Sequence, residues 1–138
     1  MNGSIYQIKV TLRDSKPPIW RRLLVTGDTT LVQLHSILQE AMGWEDSHLH
    51  MFMVNDERYT LPYDPDHLAE LRARDSRRVI LGDVVKAEGE KFVYEYDFGD
   101  GWQQIIEVEK TQPPDPKQKL PVCIKGKRAC PPEDVGGL

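Results

Sequence analysis

Tyr94-Glu95-Tyr96-Asp97-Phe98-Gly99-Asp100-Gly101-Trp102 is an aromatic and acidic strand that runs into a Gly-Asp-Gly bend and leaves through a tryptophan. Glycine and aspartate tolerate the left-handed backbone that a tight connection between paired strands requires. Phe92 to Asp97 therefore reads as one arm of a hairpin and Trp102 to Glu109 as the other. One register sets Phe92, Tyr94 and Tyr96 on the same face as Trp102, Gln104, Ile106 and Val108, a favourable mixture of aromatic and β-branched neighbours. The bend also holds two carboxylates, Asp97 and Asp100, and the two-residue repeat of a strand puts Glu95 on the face of Asp97. Such an oxygen-rich group suits a hard divalent cation. The same residues equally make a turn, with Asp97 accepting a backbone N–H and Asp100 taking a positive φ.

Working outward, Tyr6, Ile8, Val10 and Leu12 alternate with Gln7, Lys9 and Thr11, which predicts a half-buried strand. Pro17-Pro18 interrupts it, and Ile19 to Val25 resumes as a second strand, with Arg21 on one face and Trp20 and Arg22 on the other. Thr30 with Gln33 forms a capping box ahead of Leu31, Leu34, Leu38, Ala41 and Met42 at helical spacing, and Gly43 marks the stop. Trp44 is placed to fold back over that helix end. His48 to Val54 reads as a third strand and Arg58 to Leu61 as its short return. His67 to Arg78 combines helix formers with a highly charged tail expected in a surface loop, and Val79 to Val85 fits either a short strand or one helical turn. From Thr111 onward the Pro- and Lys-rich chain is expected to be loop. The architecture is α+β: a mainly antiparallel sheet built from hairpins, one helix packed on one face, β-grasp-like by analogy.

Composition narrows the function classes. The chain has 138 residues, enough for one domain with its own core, and 39% hydrophobic with 29% charged residues is ordinary for a globular protein. No apolar run approaches the roughly 20 residues of a membrane span, and the N-terminus lacks a signal core, so the expectation is a cytoplasmic protein without membrane contact. A net charge of -4 argues against direct contact with nucleic acid over a wide face. The basic run Arg72, Arg74, Arg77 and Arg78 is the one local exception, diluted by Glu70 and Asp75.

Candidate site residues follow from residue type and spacing. His48 and His50 flank Leu49, so one strand face presents two imidazoles to a borderline metal, with a further ligand drawn from His67, Asp97, Asp100, Cys123 or Cys130. Cys123 and Cys130 have six residues between them, wider than the roughly two to four of a zinc knuckle. Trp20, Trp44, Trp102, Tyr94 and Tyr96 could wall a site for a planar ligand, although aromatics of this kind are more often core. If Arg21 is the internal arginine, it needs a carboxylate such as Asp97 or Asp100. The ligand-binding candidates are thus Asp97, Asp100, Trp102, Arg21 and Tyr96, and the metal candidates His48, His50, Asp97 and Asp100. No resident cofactor is called for, although a divalent metal is possible on this donor set. No nucleophile elbow, phosphate-binding glycine loop or His-Glu-x-x-His motif is present.

Pro17-Pro18-Ile19-Trp20-Arg21-Arg22, the Gly43-Trp44 helix stop, His48-Leu49-His50-Met51-Phe52, the Tyr94 to Trp102 stretch and Ala129-Cys130-Pro131-Pro132-Glu133-Asp134-Val135-Gly136-Gly137, in this order, closely resemble the plasmid pRiA4b ORF-three-like family. The resemblance implies an α+β domain of plasmids, insertion elements and bacterial or archaeal genomes, some members being labelled resolvase-like passengers of transposable elements. Similar members continue past the Gly-Gly with a further helix, so the resemblance implies a shortened form ending at Leu138. The primary expectation is a non-enzymatic binding or interaction module whose concave surface lies near the Asp97 to Trp102 hairpin and the C-terminal loop. Its partner is a protein or small molecule of unknown identity. The alternatives are a metal-dependent hydrolase using Asp97, Asp100 and His48 or His50, and an accessory factor in transposition or recombination.

Overall fold

The computed structural model describes residues 4–46, 49–61, 68–69, 72–97 and 101–127. Eight strands form one sheet in the order β5-β4-β3-β6-β7-β1-β2-β8. They are β1 (Ile5–Leu12), β2 (Trp20–Thr26), β3 (His50–Val54), β4 (Glu57–Thr60), β5 (Arg74–Asp75), β6 (Lys91–Tyr96), β7 (Trp102–Gln112) and β8 (Val122–Lys127). Every pairing is antiparallel except the short parallel contact of β4 with β5. The helices include α1 (Leu31–Met42) and the single turn α2 (Leu81–Val84).

The β6–β7 hairpin has the register its pattern predicts: Tyr96 opposite Trp102, Tyr94 opposite Gln104 and Phe92 opposite Ile106. All six are buried, so this face is the inner one. Tyr6, Ile8, Val10 and Leu12 of β1 and Leu23 and Val25 of β2 continue it under α1. The outer face carries the alternate residues. There Lys9 and Arg22 lie 4.9 Å and 5.0 Å from the Trp20 ring centroid, and Glu109 takes two hydrogen bonds from Arg22, at 2.7 Å and 3.0 Å.

The capping box opens α1: Thr30 Oγ1 accepts from the Gln33 N–H, and Gln33 Oε1 accepts from the Thr30 N–H. Gly43 closes it at φ 74°, a conformation that costs glycine little, and the Trp44 N–H donates back to the Gln39 carbonyl at 2.9 Å. Trp44 is buried, its ring stacked on Tyr96 and tilted against Trp102. Arg21 reaches across from β2, its Nε donating to the Ala41 carbonyl at 3.2 Å. Its positive charge thus meets the carbonyl end of the helix dipole, a backbone partner in addition to any carboxylate.

Two segments depart from the sequence reading. The region from Thr111 is not loop throughout, because β7 runs to Gln112 and Val122-Cys123-Ile124 forms the start of β8. The open edge of β2 supplies the ladder that this short apolar run needs, with Leu23 opposite Cys123 and Arg22 opposite Lys125. The charged segment ahead of Val79 is likewise ordered, with Arg74–Asp75 as a strand and Ser76–Arg78 as one turn of 3-10 helix capped by the Asp75 side chain. Val79 to Val85 resolves in favour of the helical turn, α2. His48, His67, Asp100, Cys130 and the Gly-Gly motif lie outside the described residues.

Candidate functional site

The apolar stripe of α1 is interrupted by two buried polar residues, His35 and Gln39. A polar group in a helix–sheet interface must find partners or destabilise the fold. Here Tyr94 of β6 supplies them. Gln39 Nε2 donates to the Tyr94 hydroxyl at 2.8 Å, and that oxygen lies 2.6 Å from His35 Nδ1. His35 Nε2 lies 2.7 Å from Asp46 Oδ1, and the Asp46 N–H donates to Gln39 Oε1 at 2.8 Å. An amide nitrogen only donates and a carboxylate only accepts, so the proton directions follow. His35 therefore gives its Nε2–H to Asp46, and because burial favours the neutral imidazole, Nδ1 is left to accept the Tyr94 hydroxyl proton. The four contacts close a ring through Gln39, Tyr94, His35 and Asp46.

His50 stacks on this ring of contacts. Its imidazole lies parallel to that of His35, centroids 3.6 Å apart at 11°. Burial first, and then the charge of the neighbouring His35, hold the His50 pKa down to about 3. Burial also lowers His35, opposed by the hydrogen bond and charge of Asp46. Only the Asp46 carboxylate of this assembly reaches solvent to any extent, its side chain being 56% exposed. The cluster is arranged to lock α1 onto β6 and β3.

The sequence candidates are placed as follows. His50 points into the core against His35. Among the described residues, no three of His, Cys, Asp and Glu gather closely enough to hold a metal ion. Asp97 is buried and itself takes the left-handed conformation, φ 59°, its N–H donating to the Leu49 carbonyl. β6 ends at Tyr96, so the alternation that would align Glu95 with Asp97 stops short of Asp97. Glu95 is half-buried, and its pKa is raised by that burial against the opposing charge of Arg58. Tyr96 and Trp102 belong to the core with Trp44 rather than to an open aromatic wall, because the helix stop places Trp44 directly over them. His35, Gln39 and Asp46 were not singled out from sequence. The available signal was a histidine and a glutamine at positions i+4 and i+8 of the apolar stripe that begins at Leu31.

Beside α1 the surface of the described residues is concave. A cleft of about 330 Å³ is lined by Leu23, Ile37, Glu40, Ala41, Pro121 and Cys123, among others. A second, of about 570 Å³, is lined by Asp28, Val32, Gln33, Ser36, Ile37 and Leu120, among others. They share Ile37 and Pro121, so they form one groove between the flank of α1 and the segment leading into β8. The Cys123 thiol is exposed in it.

A small α+β protein with a buried polar lock and an open groove is the class that fold and site define. The chain belongs to the plasmid pRiA4b ORF-3-like protein family, whose model matches residues 4–138. It is 41% identical to the uncharacterized protein y4hQ of Sinorhizobium fredii (strain NBRC 101917 / NGR234) over 138 residues, 99% of this chain and 69% of that protein. The crystal structure of MM3350 from Methanosarcina mazei Go1, a protein of unknown function, is similar at a TM-score of 0.86 and 34% identity, covering 97% of this chain and 75% of that one. Among the described residues, no helix is long and apolar enough to cross a membrane.

Proposed function

We propose that this protein is a non-enzymatic binding module whose ligand seats in the groove between α1 and β8. The observation that carries the reading is the contrast between its polar cluster and its concave surface. The His35 imidazole is held neutral by burial and finds its hydrogen-bond partners within the ring, so this cluster reads as a structural lock and not as a set of groups aimed at a substrate. The groove is open, and Ile37, Ala41 and Val122 give it the apolar lining that small-molecule sites use. Within the family, such a module fits an accessory role in plasmids and mobile elements.

The neutral dye Nile red tests the groove. We expect saturable binding to the wild-type chain, slowed alkylation of Cys123 by iodoacetamide in a Cys130→Ser background, and loss of both effects in Ala41→Trp, measured below that variant's own melting temperature. Dye binding that ignores Ala41→Trp rejects the groove. Stoichiometric divalent metal in protein purified without a histidine tag, lost in Asp97→Ala, would instead establish the metal-dependent hydrolase. A salt-sensitive shift of duplex DNA would establish a DNA-contacting accessory factor.

A further inference from the structure

The sheet ends in two unequal strands. β5 has two residues, too few to template a neighbour, whereas β8 has six and spans about 20 Å at 3.3 Å per residue. Among the described residues β8 pairs on one side alone, with β2, so the N–H and C=O groups along its other side form an open ladder. The strand is seated closely on β2: a Cβ on Gly126 would lie 2.9 Å from Arg21 Cδ and 3.0 Å from the Trp20 carbonyl oxygen, so only a residue without a side chain fits there. None of the described side chains of β8 is buried, and Ile124, which has no opposite residue on β2, is 47% exposed.

The charge along this edge has one sign. From Pro116 to Pro132 the chain carries Lys117, Lys119, Lys125, Lys127 and Arg128 and no carboxylate, although the protein as a whole has a net charge of -4. Lys117, Lys119 and Lys125 are exposed, and among the described residues none of the three forms an ion pair. Lysines on an open edge oppose pairing with a second copy of the chain, because the same cationic segment would approach from the other side. They favour a strand that brings carboxylates.

We propose that β8 takes an extended acidic segment of a partner protein as an added strand. Backbone hydrogen bonds to the open side of β8 supply affinity, carboxylates beside Lys119 and Lys125 supply selectivity, and an apolar side chain of the partner covers Ile124. The inference does not rest on the groove beside α1, and the two are tested apart.

Fluorescence anisotropy with a labelled Glu-Val-Glu-Val-Glu-Val peptide tests the proposal. The peptide is expected to bind the wild-type chain, to bind Lys125→Glu about tenfold more weakly, and to weaken as salt is raised. Lys125 is exposed, so the variant should keep the wild-type melt. Methylating alternate backbone nitrogens of the peptide separates a ladder from plain charge attraction: one phase of the alternation should abolish binding, and the other, whose N–H groups face away from β8, should preserve it. Equal effects of the two phases overturn strand addition. Indifference to Lys125→Glu, or equally tight binding of Lys-Val-Lys-Val-Lys-Val, overturns the charge pairing. The peptide should bind Ala41→Trp as well as wild type and leave Nile red affinity unchanged, whereas competition with Nile red overturns the edge as its site. Phosphatidylserine vesicles or polyphosphate that bind more tightly than the peptide overturn the acidic polypeptide in favour of a general anion surface.

Discussion

His35 and His50 lie face to face, their ring centroids 3.6 Å apart, one carried by α1 and the other by β3. Both have pKa values below the ordinary histidine value, His50 at about 3. Below about pH 6.5 the unfolded chain therefore binds protons that the folded chain refuses. Stability is full above that pH and falls as the pH drops toward 3, by up to about 1.4 kcal/mol per pH unit for each histidine that stays neutral. Urea midpoints measured between pH 7 and pH 5 should decline, and His50→Phe should make the decline shallower. A slope identical in His50→Phe and wild type would contradict this account.

Removing the Tyr94 hydroxyl opens the hydrogen-bonded ring at two points, His35 Nδ1 and Gln39 Nε2. Tyr94→Phe is expected to cost about 1–3 kcal/mol, since both groups stay buried after losing a partner. Chemical denaturation gives the magnitude. In the same variant the His35 ring protons should shift in NMR spectra.

Gln104 presents the opposite case. It is fully buried, and neither its amide oxygen nor its amide nitrogen makes a hydrogen bond. Gln104→Leu keeps similar bulk while removing the desolvated amide, and should raise stability by about 1 kcal/mol. A lower melting temperature for this variant would show that the amide is engaged.

On the outer face, Glu109 takes a forked pair of hydrogen bonds from Arg22, and that contact lowers its pKa. The pair is partly exposed, so Glu109→Gln should cost about 0.5–1 kcal/mol, with the difference shrinking in high salt. Denaturation at low and high ionic strength separates this from a loss of packing.

Local chemistry made much of the fold legible. The Thr30 capping box, the Gly43 stop and the Tyr96 to Trp102 pairing depend on residues close in sequence, and each stands where its pattern puts it. The strand β8 was hidden because Val122-Cys123-Ile124 is short, lies in a Pro-rich stretch, and becomes a strand only against β2. The polar lock was hidden for a related reason. His50 gives the same strand signal whether it faces solvent or core, and its stacking partner His35 is brought to it only when α1 closes on the sheet.

The position of β1 bears on how the chain is made. It is the first strand in the order of the described residues, yet it is an interior strand, with Ile5 opposite Thr26 on one side and Gln112 on the other. The β1–β2 hairpin and α1 can form early, but the second edge of β1 waits until β7 has emerged. Nascent chains that stall before Gln112 would present that edge, along with Tyr6, Ile8, Val10 and Leu12, to chaperones or to one another. Completion of the sheet is thus tied to near-complete synthesis of the described chain.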